Sequence, residues 1–140
     1  AGGSTGLATL RRDGFASMDS GNTTSVLTTK LVTFNGRCFF VNCDAINGSL
    51  KIEVLDENGD TIQPFSADKC NVVRGDSTKK QITWFEATDL SSIQGTRVRF
   101  RFHATNTKLY SFWVSNTSKG ESGGYLSAGG PGIESIIDCA

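Results

Sequence analysis

Thr96-Arg97-Val98-Arg99-Phe100-Arg101-Phe102-His103-Ala104 alternates residue by residue between apolar and polar side chains. A period of two belongs to a half-buried β-strand and not to a helix. Val98, Phe100, Phe102 and Ala104 share one face; Arg97, Arg99, Arg101 and His103 share the other. Ser49 to Asp56 repeats the pattern, with Leu50, Ile52 and Val54 inward and Lys51 and Glu53 outward. It runs into Asp56-Glu57-Asn58-Gly59-Asp60, where Asn-Gly signals a hairpin turn. Arg37 to Ala45 reads as a buried strand containing Cys38, Phe39, Phe40 and Val41. An Asn35-Gly36 turn precedes it, so Val26 to Phe34 is expected to pair across that turn as the first arm of a hairpin. Leu10 to Met18, Lys80 to Phe85 and Leu109 to Ser115 are further strand candidates. About seven or eight short strands separated by turn signals predict an all-β domain, a two-sheet antiparallel β-sandwich of jelly-roll-like build. Only Asp89-Leu90-Ser91-Ser92-Ile93 suggests a helical turn, with Asp89 as its cap. Beyond the glycine-rich stretch from Gly120 to Gly132, Ile133, Ile136 and Ile137 suggest that the chain returns to the sheet.

A length of 140 residues suits one domain with one core. Residues 10–140 are taken as that domain, and residues 1–9, opening Ala-Gly-Gly-Ser-Thr-Gly, as a linker or processed segment of a larger protein. Formal net charge is zero, which gives no global attraction to nucleic acid or to an anionic membrane. No apolar stretch approaches the ~20 residues of a membrane-spanning helix. Cys38, Cys43, Cys70 and Cys139 allow two disulfides in three connectivities and lack zinc spacing, with His103 the sole histidine. Cys38 and Cys43 would lie ~17 Å apart on opposite faces of one strand, too far to bridge each other. Sequons at Asn22, Asn47 and Asn116, together with the cysteines, fit an extracellular protein.

Catalytic chemistry finds little support. A nucleophile–base pair would need His103, which sits in mid-strand, and no nucleophile-elbow motif accompanies any Ser or Cys. Asp56-x-Asn58-Gly59-Asp60 has oxygen ligands at alternate positions but not the full set of a calcium loop, so a plain turn is expected there. A structural calcium elsewhere stays open, and no cofactor is expected. The outward row Arg97, Arg99, Arg101, His103 admits two readings. It can offer planar donor forks to a carboxylate, a sulfate or vicinal hydroxyls, or it can be neutralised by acids such as Glu53 on a neighbouring strand. Trp84, beside Phe85 at a strand end, and Tyr110, in the apolar run Leu109 to Val114, are candidates for stacking on a sugar ring or for the core.

Several stretches in order, LRRDGF (10–15), LTTKLVTFNG (27–36), FFVNCDA (39–45), GSLKIEVLDENG (48–59), PFSADKC (64–70), RGDST (74–78) and VRFRFH with LYSFWVS (98–115), carry a family likeness. Together they resemble an accessory β-sandwich domain of secreted proteins, often found C-terminal to glycosidase-like β-propeller regions in polysaccharide-degrading bacteria. GGYLSAGGPG at 123–132 is a weaker continuation. The resemblance implies an extracellular, non-catalytic domain that binds carbohydrate or packs on a catalytic neighbour. By position it points to Arg12 and Asp13, to Asp76, and to Arg99 and Arg101. Cys70 falls where the pattern expects a cysteine; Cys38, Cys43 and Cys139 are additions to it.

The expectation is a module that recognises a polysaccharide, with acidic and sulfated chains among the candidates. Its expected contacts are Arg12, Asp13, Asp76, Trp84, Arg99, Arg101, His103 and Tyr110, with neither nucleic acid nor membrane as partner. The competing expectation is a structural domain that packs on an adjoining catalytic domain or builds an extracellular matrix without binding glycan itself.

Overall fold

The computed structural model describes residues 2–125 and 135–139. These residues form one antiparallel sheet of six strands: β1 (Met18–Asp19), β2 (Ser25–Thr28), β3 (Cys38–Leu55), β4 (Val73–Ile82), β5 (Arg99–Thr105) and β6 (Lys108–Ser115). Among the described residues there is no α-helix, and one 3-10 turn spans Ser91–Ile93. Asp89 was expected to cap that turn, but the cap position is held by Leu90, with no side-chain cap; Asp89, one residue earlier, accepts from the Ser91 backbone N–H at 3.0 Å.

β3 organises the sheet. The sequence suggested two strands here, and they are one strand of 18 residues. Its first half pairs with β6 on one edge and β4 on the other; its second half pairs with β5. Only Asn106-Thr107 separates β5 from β6, so the two follow β3 almost without a break. In the same way β1 pairs with β6 and β2 with β5, joined by residues 20–24. The interruptions fall at one level, where β3 shifts register between Ala45 and Leu50. Irregularities of this kind bend strands, and the sheet curls into a half-barrel. Gly48 is required there: a Cβ would lie 1.8 Å from the Thr105 carbonyl oxygen and 2.4 Å from that of Asn106. Asn106 takes a positive φ of 44°, which Asn tolerates better than most residues. Thr107, buried beside it, donates its hydroxyl to the Ser49 and Thr105 carbonyls at 3.1 and 2.9 Å.

Alternation decides what fills the curl. Phe39, Val41, Ile52 and Val54 of β3 and Phe100 and Phe102 of β5 are buried together. Phe39 meets Phe100 edge-on with centroids 4.6 Å apart. Phe65, Trp84, Leu90 and Ile93, from the segments around β4, complete the core. Asp56 closes the expected hairpin turn, its Oδ1 accepting from the N–H groups of Asn58 and Asp60, both at 2.9 Å, with Gly59 at φ 94°.

Four expectations are corrected. Val26 to Phe34 does not form a hairpin with β3 across Asn35-Gly36; β2 pairs with β5, and Val32 bridges Val98. Leu10 to Met18 is a turn leading into the two-residue β1. The four cysteines form no disulfide. Cys43 packs in the core, Cys38 is buried on the opposite face of β3, and burial pushes the Cys43 thiol up to about 11. Near the chain end Tyr125 bridges Ile137, and among the described residues Ile136 and Ile137, expected to return to the sheet, belong to a segment that pairs with residues 123–125 instead. Ile133 lies outside the described residues.

Candidate functional site

The outward face of β3 and β6 carries Phe40 opposite Trp113 and Asn42 opposite Ser111. The turn Arg11-Arg12-Asp13-Gly14 lies over it, closed by Gly14 N–H to the Arg11 carbonyl at 2.9 Å. Asp13 has φ 50°, and a side chain at position 14 would collide with Arg11. The two guanidinium groups rest on two rings: Arg11 is 4.6 Å from the Tyr110 centroid and Arg12 is 5.4 Å from that of Trp113. Arg11 donates to Asn42 Oδ1 at 2.6 Å, to the Cys43 carbonyl at 3.1 Å and to Asp76 Oδ1 at 2.5 Å. Fully buried Asn42 returns a bond from Nδ2 to the Arg12 carbonyl at 2.5 Å. Asp13 Oδ2 accepts from the Ser111 hydroxyl at 3.0 Å.

Arg12 ties in the far end of the chain through Asp138, Nη2 to Oδ2 at 2.6 Å, and the Ser122 N–H donates to the same oxygen at 2.8 Å. Burial alone would raise the Asp138 pKa, but the bonds from Arg12 and Ser122 outweigh it and hold the carboxyl at about 2. A depressed folded pKa gives stability that is complete above the unfolded value of about 4 and disappears as pH falls through about 2. Asp138→Asn is therefore expected to cost on the order of 2 kcal/mol at neutral pH. The gap in melting temperature between variant and wild type should close as pH is lowered from about 4 to about 2; a gap independent of pH would contradict the assignment.

The structure brings Arg12, Asp13, Asp76 and Tyr110 together and leaves the other four expected residues elsewhere. Arg99, Arg101 and His103 do stand in line on β5, but acids and carbonyls already hold them. Glu53, only 8% exposed, accepts from Arg101 Nη1 at 3.2 Å and His103 Nε2 at 2.9 Å on one oxygen, and from Thr61 at 3.2 Å on the other. Burial pushes the Glu53 pKa up, and the His103 hydrogen bond and charge, with Thr61 and Arg101, bring it below its ordinary value. Arg99 donates to the Thr29 carbonyl at 3.2 Å, and Arg97 pairs with Glu57 at 3.3 Å. Trp84 is a correction: it is 1% exposed, donates Nε1–H to the Ile52 carbonyl at 3.1 Å and packs edge-on against Phe65. Its neighbour Phe85 is the one that faces solvent, at 76%.

Arg11, Asn42, Ser111, Trp113 and Asp138 join the site without having been singled out. Asn42 had a readable signal, as an amide inside the otherwise apolar run FFVNC; a buried amide needs partners. Asp138 had none, because its contact with Arg12 is purely tertiary. No family model matches the chain, and no curated protein or solved structure is detectably similar to it.

Proposed function

We propose that this chain is an extracellular, non-catalytic carbohydrate-binding module whose polysaccharide contacts centre on the Arg11–Gly14 turn. The observation that carries the reading is the convergence of Asp13, Asp76 and Tyr110 around two anchored arginines. The side chains of Asp13 and Asp76 are 50% and 49% exposed. Each has one oxygen engaged, by Ser111 and by Arg11, while Asp13 Oδ1 and Asp76 Oδ2 have no hydrogen-bond donor among the described residues. Fixed carboxylate oxygens accept strong charge-assisted hydrogen bonds from hydroxyls, and arranging them in advance lowers the entropic cost of binding. The resemblance to accessory domains of polysaccharide-degrading proteins supports the same reading. So does the curl of the sheet, which we take as a jelly-roll-like sandwich built from one continuous sheet.

Charge favours a neutral glycan over the acidic or sulfated one first expected. Glu53 and Glu57 pair with Arg97, Arg101 and His103, Arg99 is tied to the Thr29 carbonyl, and the Asp13 and Asp76 carboxylates would repel an anionic sugar. The Trp113 ring is already engaged, near-parallel to Phe40 at 5.7 Å and with the Arg12 guanidinium 5.4 Å from its centroid. Affinity gels cast with xylan, mannan and mixed-linkage glucan, beside alginate and carrageenan, test the proposal. Retardation is expected in at least one neutral gel, with loss of about tenfold or more in affinity for Asp13→Ala/Asp76→Asn. Arg101→Gln should leave that retardation unchanged. No retardation in any gel would overturn the proposal.

One observation favours a packing role instead. Between β1 and β2 an apolar cavity of about 100 Å³ opens to solvent, lined by Met18, Leu27, Phe102 and Leu109. A domain that docks there on a neighbour would bind no glycan and would gain stability from the neighbour's presence.

A further inference from the structure

We propose that the glycan site extends beyond the Arg11–Gly14 turn into a polar crevice at the bend of the sheet, and that the crevice receives one pyranose ring of a neutral polysaccharide lying across the strands. This rests on the carbohydrate-binding reading and adds to it a second subsite, a direction for the chain and a sugar class.

The strand registers supply the direction. Asp44 of β3 stands opposite Asp76 of β4 on one side and opposite Lys108 of β6 on the other, and Lys108 stands opposite Asp19 of β1. Residues directly opposite in antiparallel pairs point to the same face. Cys43 and Leu109, their chain neighbours, are buried in the core, so this row points outward. Asp76, Asp44, Lys108 and Asp19 thus form one polar line across four strands, about 14 Å long at ~4.8 Å per strand. That is a length which a short run of linked pyranoses covers. At its β4 end the line meets Arg11 and hence the turn.

At its β1 end the line becomes the floor of a crevice of about 380 Å³. Asp19, Asp44 and Lys108 come from the row, and Asn47 and Asn106 from the two chain segments that bend beside it. These groups are available. The Lys108–Asp19 pair is loose at 3.8 Å with both side chains more than half exposed, and such pairs contribute little to stability. Asp44 Oδ1 closes a turn by accepting from the Ile46 N–H at 3.1 Å, and its other oxygen has no donor among the described residues. Neither the Asn47 nor the Asn106 side-chain amide has a hydrogen-bond partner among the described residues. Ile46 projects at the rim, 68% exposed, and gives the crevice an apolar wall.

Carboxylates that accept, amides and an ammonium that donate, and one aliphatic side wall match a pyranose, which has hydroxyls around its edge and C–H groups on its face. Two carboxylates against one ammonium in the crevice, with Asp76 beyond them, disfavour uronic or sulfated sugars. A metal ion fits poorly: among the described residues no three His, Cys, Asp or Glu side chains come together to hold one.

Titration calorimetry with cellohexaose, xylohexaose and mannohexaose tests the proposal on three proteins: wild type, Asp44→Asn/Lys108→Gln, and Asp13→Ala/Asp76→Asn. Asn at position 44 retains the Oδ1 acceptor for Ile46, and thermal melts verify that each variant folds. The expected result is that the hexasaccharide bound by wild type binds Asp44→Asn/Lys108→Gln about tenfold more weakly, while shifting the amide resonances of Asn47 and Asn106. Unchanged affinity in that variant, with loss only in Asp13→Ala/Asp76→Asn, would overturn the crevice and leave the proposed function standing. Loss only in Asp44→Asn/Lys108→Gln would uphold the crevice and remove the turn from the site. Absence of binding by all three hexasaccharides would overturn both.

Discussion

Trp84→Ala is expected to lower stability by about 3–5 kcal/mol, read as a fall in the urea midpoint with little change in slope. Trp84 is among the largest fully buried side chains, so truncation opens a cavity bordered by Phe65. It also removes the indole donor to the Ile52 carbonyl in the second half of β3. Domains of this size have stabilities of about 5–15 kcal/mol, so the loss takes a large share of the total. Phe85→Ala, one residue along, should fall within about 0.5 kcal/mol of wild type because that ring is in solvent. On the proposed carbohydrate-binding reading, the fraction of Trp84→Ala that remains folded should retain the affinity of wild type. Loss of affinity at undiminished stability would place the indole in a binding site and contradict its burial.

Gly48→Ala is expected to be as damaging through a different cause. The added methyl would overlap two carbonyl oxygens, those of Thr105 and Asn106, and both belong to backbone and not to a side chain able to turn aside. Overpacking commonly costs about 1–3 kcal/mol and more where backbone must shift. Here the shift would strike the bend, so a loss of about 3 kcal/mol or more is expected by chemical denaturation. Gly59→Ala provides the contrast: its Cβ would meet nothing within 4 Å, and only the positive φ of 94° would be strained, at about 1–2 kcal/mol. Equal effects at the two positions would mean that backbone conformation, and not close approach, fixes Gly48.

The alternation in VRFRFHA was enough to assign Phe100 and Phe102 to the core and Arg99, Arg101 and His103 to the surface, because a period of two is local and survives any choice of partner. Pairing was not legible for the same reason. Asn35-Gly36 made a hairpin of chain neighbours the natural guess, yet β2 finds β5 far along the chain. Ile46-Asn47-Gly48 looked like a loop between two strands; it is an irregularity inside one, since Gly48 has to admit a neighbouring carbonyl. At the candidate site, Arg12, Asp13, Asp76 and Tyr110 were reachable by resemblance or by residue type. Their meeting point was not, and neither was Asp138, which reaches Arg12 only once the chain has folded. Glu53 was foreseen as a partner for the basic row, and its burial decides that the row is held and not offered.

The continuity of β3 has a kinetic consequence. Its amides in both halves are locked by partners on β4, β5 and β6, so neither half of the curl can open without disturbing a backbone shared with the other. Amide hydrogen exchange should therefore report one protection factor for the paired stretches Phe39–Asp44 and Leu50–Val54, set by global unfolding, while residues 2–10 exchange at nearly free rates. A glycan that bridges the turn and the bend would meet a surface whose spacing is already fixed, with no hinge left to close.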